Sequence, residues 1–241
     1  MTRRAFAVLG MLFLAHAFAS QFTRQGSKLI GTDPAGAGRQ GFSVAISADG
    51  NTAIVGGPYD NSQTGATTVF TRSGGVWSQQ GDKLVGKGAV GAPQQGTSVA
   101  ISADGNTAIV GGPYDDSQTG AVWVFTRSGR VWSQQGGKLV GLGAVGHARQ
   151  GTSVAISGDG NTAIVGGHYD NGQAGAAWVF TRSGGAWSQL GNKLVGVGAV
   201  GAAQLGASVA ISDVGDTAIV GGHYDNGQAG SAWVFALGGG M

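Results

Sequence analysis

An all-β fold of several sheets set around an axis is predicted by three observations. The stretch SVAISADGNTAIVGGPYD at Ser43 to Asp60 returns, little changed, from Ser98, Ser153 and Ser208, a fixed step of 55 residues. Within each copy, four short segments of β-type composition are separated by Gly, Asp, Asn and Ser, the spacing of a four-stranded antiparallel meander. Small residues dominate the first segment and the end of the second, and bulky aromatics the last two. Wedge-shaped sheets need that gradient, because their inner strands crowd near the axis while the outer ones have space. The fold class is therefore all-β, a β-propeller built from four 55-residue four-stranded repeats, as a four-bladed ring or as an arc of a larger propeller.

The first strand is read as Ser43 to Ser47, with Val44 and Ile46 on one face and Ser43, Ala45 and Ser47 on the other. Asp49-Gly50 follows and supplies the left-handed conformation of a tight hairpin. The second strand is Thr52 to Gly56. The third is Ala66 to Arg72, which in the next copy becomes Ala121-Val122-Trp123-Val124-Phe125. The fourth runs through Trp77 to Val85 and is expected to break near Gly81. No 3.6-residue periodicity occurs outside the first twenty residues, so no helix is expected there.

Those first twenty residues read as a targeting signal. Arg3 and Arg4 precede an apolar run from Ala5 to Phe18, and Ala17-Phe18-Ala19 is the small-x-small pattern of a cleavage site, which assigns residues 1–19 to a signal peptide. The run is too short for a membrane span, which takes roughly 20 residues. The expected location is secreted or in the cell envelope, with no membrane span after cleavage. The chain holds 14 Lys plus Arg against 12 acidic residues, all Asp, and loss of Arg3 and Arg4 leaves 12 against 12. Without a basic stripe, nucleic acid is excluded as a partner. With no cysteine, stability must come from packing and hydrogen bonds.

The succession SVAIS, AIVGGPYD, GAVWVFTRSG and VWSQQGGKLVG resembles the FG-GAP repeat of integrin-α-like β-propellers, in its bacterial secreted branch. The resemblance covers nearly all of residues 20–241, in repeats of about 22–76, 77–131, 132–186 and 187–241. Pro58 and Pro113 keep the proline of the family's motif, and His168 and His223 replace it in the later copies. Phe22 to Gly31 (FTRQGSKLIG) aligns with Trp77 to Gly86 (WSQQGDKLVG), so the chain opens with a lone fourth strand and closes with a lone first, second and third. Together these ends would make one blade, with the N-terminal strand closing the last sheet and hiding two edges. The competing arrangement is an arc, as a monomer or as a homodimer.

The resemblance implies a calcium loop between the first two strands, but a calcium site takes six to eight oxygens from several carboxylates, and Ala48-Asp49-Gly50-Asn51 offers one. The motif is absent, and no cofactor is expected. His168 and His223 lack a third ligand at fixed spacing and are read as surface substitutions rather than a zinc site. There is no Glu, no G-x-S-x-G elbow and no phosphate cradle, so the chain is read as not an enzyme. Lys28, Lys83, Lys138 and Lys193 are read as edge protection on the outermost strand. The loops after the second strand carry the candidate ligand-binding residues: Tyr59 and Asp60, Tyr114, Asp115 and Asp116, Tyr169 and Asp170, and Tyr224 and Asp225. Antiparallel order sets them on one rim with Arg39, His147 and Arg149. The predicted function is binding or adhesion to a protein or carbohydrate through this Tyr-Asp rim; the alternative is a structural envelope repeat, or part of a longer array, without a specific ligand.

Overall fold

The computed structural model describes residues 21–32 and 36–238; the expected signal peptide lies outside them. The first sheet contains β1 (Ser43–Ile46), β2 (Thr52–Gly57), β3 (Ala66–Ser73) and β4 (Val76–Gln79), and the second β5 (Ser98–Ile101), β6 (Thr107–Gly112), β7 (Ala121–Ser128) and β8 (Val131–Gln134). The third contains β9 (Ser153–Ile156), β10 (Thr162–Gly167), β11 (Ala176–Ser183) and β12 (Ala186–Gln189). Three strands, β13 (Ser208–Ile211), β14 (Thr217–Gly222) and β15 (Ser231–Ala236), make the last. All are antiparallel meanders in one register, with Val55 opposite Thr68 and Val110 opposite Trp123.

The outer strand is shorter than the sequence suggests. At Gly81 the backbone turns left-handed (φ 70), and the chain rejoins the ladder only at the bridge between Thr67 and Leu84. The segment Asp60–Gln63 forms a single turn with positive φ at Asn61, Ser62 and Gln63, so it is a left-handed loop rather than a helix.

The innermost strands β1, β5, β9 and β13 pack in succession, and the core lies between neighbouring sheets. Ala45, Ile54, Val69 and Leu84 of the first sheet meet Val99, Val110, Trp123 and Phe125 of the second. Equivalent residues repeat at the next two interfaces. Trp123 lies against Gly86, where a Cβ would come within 2.2 Å of the indole; Trp178 lies against Gly141 in the same way. Here glycine is required by close approach rather than by its backbone angle.

The arc is open. Val99 is 9% exposed, but its counterpart Val44 on the outward face of the first sheet is 68% exposed. Ile54, Ile109 and Ile164 are fully buried, whereas Ile219 on the outward face of the last sheet is 45% exposed. The N-terminal strand does not close the last blade in this structure. It lies on the first blade, where Gln25 Oε1 accepts hydrogen bonds from Trp77 Nε1 (3.0 Å) and Arg72 Nη1 (3.1 Å). Gln80 serves Trp132 and Arg127 in the same way one blade later (3.0 and 3.2 Å), so residues 22–31 follow the placement of a preceding blade's outer strand.

Candidate functional site

Each hairpin between the first two strands is held by its own side chains. Ser47 Oγ donates to Asp49 Oδ1 at 2.5 Å, Asn51 N donates to the same oxygen at 2.9 Å, and Asn51 Nδ2 donates to Oδ2 at 3.0 Å. These bonds, led by that from Ser47, lower the Asp49 pKa to about 2. With a single carboxylate already engaged by its turn, the loop does not fit the calcium ion implied by the resemblance. Among the described residues, no group of three or more His, Cys, Asp or Glu is gathered to hold a metal.

On the opposite rim the candidate residues separate into two sets. Asp60, Asp115, Asp170 and Asp225 are buried. Asp115 accepts a hydrogen bond from Val90 N (2.7 Å) and pairs with Lys138 Nζ; Asp170 does the same with Val145 N (2.7 Å) and Lys193 (2.5 Å). Asp60 pairs with Lys83 at 3.0 Å. These carboxylates pin the left-handed loop to the outer strand and to the connection that precedes the blade's first strand, and they present little to a ligand. The reading of the lysines as edge protection is corrected accordingly, for Lys83, Lys138 and Lys193 are partners of buried acids. The linear sequence hides the pairing, because Lys and Asp stand 23 residues apart and only the meander brings them together.

The tyrosines and Asp116 form the accessible set. Arg39 stacks on the Tyr59 ring at 3.9 Å, and Arg149 lies 3.9 Å over Tyr169 and 5.1 Å from Tyr114. The Arg149 guanidinium also donates to Gln118 Oε1 at 2.7 Å, which fixes it against the left-handed loop of the preceding blade. His147 Nδ1 bonds the Ser117 carbonyl oxygen at 2.6 Å. Tyr224 is 42% exposed, and Asp116 faces solvent. Rim-sharing with Arg39, His147 and Arg149 is therefore as antiparallel order requires. Gln118, Gln63 and Gln173 were not singled out in the sequence, although their fixed place in every copy was the available signal. His168 is half-buried beside Thr152, and burial first, then Arg149 and His223, lowers its pKa to about 4.

Among solved structures, the chain is similar to a 6-phosphogluconolactonase-like protein of Bacteroides uniformis, with 14% identity and a TM-score of 0.56 over 83% of this chain and 54% of that one. It is also similar to hydrazine synthase of Kuenenia stuttgartiensis, with 17% identity and a TM-score of 0.50 over 90% of this chain and 50% of that one. The chain thus spans about half the length of each. At these identities the likeness shows the fold alone. Together with the four repeated antiparallel sheets, it defines a β-propeller-like protein. No protein-family model and no curated protein matches the chain.

The expectation that the chain is not an enzyme is corrected by these neighbours, since hydrazine synthase is an enzyme and the other is lactonase-like. That expectation rested on missing local motifs. Propeller loops from distant blades converge on one rim, so catalytic groups on this fold need no local spacing. Among the described residues, no helix is long and apolar enough to cross a membrane.

Proposed function

We propose that the chain is an exported interaction module of the FG-GAP type, acting outside the cell or in its envelope and engaging a protein or carbohydrate through its tyrosine-arginine rim. One observation carries this reading: Tyr59, Tyr114 and Tyr169 are aligned on one rim and braced by Arg39 and Arg149 at 3.9–5.1 Å. Guanidinium stacking preorganises the rings, and ordered side chains lose less entropy on binding. The covered ring faces leave phenol hydroxyls and guanidinium N–H groups as the outward chemistry, suited to carboxylate and carbonyl acceptors on a protein loop or an acidic sugar. The buried Asp residues hold this rim in place, so the contact set is Tyr59, Tyr114, Asp116, Tyr169 and Tyr224 with the two arginines.

A glycan array and a pull-down with the processed protein test the proposal. The paired substitutions Tyr169→Ala and Arg149→Ala are expected to weaken binding at least about tenfold, as loss of an aromatic-arginine anchor does. Wild-type affinity in this double variant removes the rim from consideration.

A further inference from the structure

From the two open ends of the arc, we infer that two copies of this chain dock head to tail, the first blade of each on the last blade of the other, with residues 22–31 of each becoming the missing fourth strand of the partner's last sheet. Four independent features of the ends match.

The first is apolar. At every internal interface the forward face of one blade, such as Ile109 and Val124, covers the rear face of the next, such as Val154 and Ile156. The last blade exposes the forward face (Ile219, Val234) and the first blade the rear face (Val44, Ile46). Each end is thus complementary to the other by the same repeat that already packs three times within the chain, and neither is complementary to itself. A contact of this kind is heterologous, and it closes when the rotation per subunit completes a circle.

The second feature is the strand. The last sheet ends at β15 with its outer edge unpaired among the described residues. Residues 22–31 already lie on their own first blade as 77–86 lie on the second, with Thr32 N donating to Gln79 Oε1 at 2.7 Å as Lys87 N does to Gln134 Oε1 at 2.6 Å. They are an outer strand without a sheet. By the repeat, Leu29 stands where Leu84 and Leu194 bridge to Thr67 and Ala177, so its partner on β15 is Ala232.

The third is a hole and its plug. An apolar groove of ≈ 350 Å³, lined by Val179, Leu194, Ile211, Phe235 and Leu237, opens where the last blade would carry the tryptophan that Trp132 and Trp187 supply in complete blades. Phe22, at the equivalent place in the N-terminal strand, is fully exposed.

The fourth is charge. Three complete blades pair a buried Asp with the Lys that follows it by 23 residues, but Asp225 has no lysine partner among the described residues and takes Ser231 Oγ at 2.5 Å instead. Lys28 is the equivalent lysine, and among the described residues it makes no ion pair. The unpaired acid and the unpaired base stand at opposite ends of the same chain.

The processed chain is tested first by light scattering across a concentration series. The expected mass is twice that of one chain, and both Val44→Asp and Ile219→Asp, which alter solvent-facing side chains of the single chain, are expected to raise dimer dissociation at least tenfold. Because the protein has no cysteine, Leu29→Cys and Ala232→Cys on separate molecules give a clean second measurement. Mixing them is expected to yield a reducible two-chain species that neither variant forms in the same linkage alone. A single-chain mass at every concentration overturns the inference. So does a dimer sensitive to only one of the two Asp variants, which would be face to face, or a disulfide within one chain in the Leu29→Cys, Ala232→Cys double variant, which would mean closure on itself.

Discussion

The second and fourth blades are built from nearly the same residues, yet Ile109 and Val124 of the second are fully buried while Ile219 and Val234 of the fourth face solvent. The difference shows that a blade here does not carry its own core. Its strands pair internally, but both apolar faces are completed by neighbours, so stability is a sum of interface terms and the outermost faces contribute least. The same contrast appears in polar anchoring, where Asp115 pairs with Lys138 and Asp225, among the described residues, is held by Ser231 and backbone N–H groups without an ion pair.

The largest expected effect sets an internal interface against an open face. Trp123→Ala should cost about 3–5 kcal/mol in urea unfolding, as truncation of a fully buried aromatic does, whereas Ile219→Ala should cost about 1 kcal/mol or less in dilute protein. Gly86→Ala should approach the first value, because its methyl would overlap the Trp123 ring. Gly31→Ala, at the equivalent place before the first blade, meets nothing closer than Thr68 Oγ1 at 3.1 Å and should be mild. Equal losses at the internal and terminal sites would break the comparison. Raising the protein concentration sharpens it, since the Ile219→Ala cost should grow as the open face becomes covered.

Next in size is the acid pair. Asp115→Ala should destabilise by about 2–4 kcal/mol, because it strands the Lys138 ammonium and the Val90 N–H. Asp225→Ala, which strands no lysine within the chain, should cost less. Thermal melts of the two variants in dilute solution check the order, and a larger loss at Asp225 would reverse the argument.

Much of this architecture was legible in the sequence for a simple reason. Meander strands are bounded by local turn chemistry, so Asp49-Gly50 and the alternation of Val44 and Ile46 place β1 and β2 without knowledge of the rest. The breaking of the outer strand near Gly81 was legible on the same grounds. Burial was not, because it depends on which blade stands beside which: Asp60 sits next to Tyr59 in a polar loop and reads as a surface residue until the meander brings Lys83 to it. The N-terminal strand shows a further limit. FTRQGSKLIG declares what kind of strand it is, but not which sheet edge it meets: among the described residues the last sheet ends at β15, and the segment lies against the first blade through the Gln25 bonds to Trp77 and Arg72. Among the candidate residues, Tyr and Asp had equal standing in the sequence; one side chain reaches the rim surface and the other turns inward to hold the loop.

The smallest effect again separates an inner from an outer copy. His168 and His223 occupy equivalent places, but His168 is half-buried against Thr152, while His223 is exposed and has Ala207 where that threonine would be. Burial and the nearby Arg149 lower the His168 pKa from 6.5 to about 4. The unfolded chain therefore binds the proton more tightly than the folded one between these values. The stability contribution is complete above about pH 6.5 and is lost as the pH falls toward 4. Solvent screening at a half-exposed ring limits the loss to about 1 kcal/mol. Urea midpoints at pH 7 and pH 4.5 should therefore differ more in the wild type than in His168→Asn. The window lies above the range in which Asp49, held near 2, takes up its proton. An identical pH dependence in the two proteins would mean that the ring is free to turn to solvent when charged. In the folded arrangement it cannot do so without disturbing Tyr169, whose ring meets it edge-on at 4.5 Å and carries Arg149 at 3.9 Å, so protonation of His168 should loosen the rim as well as the blade.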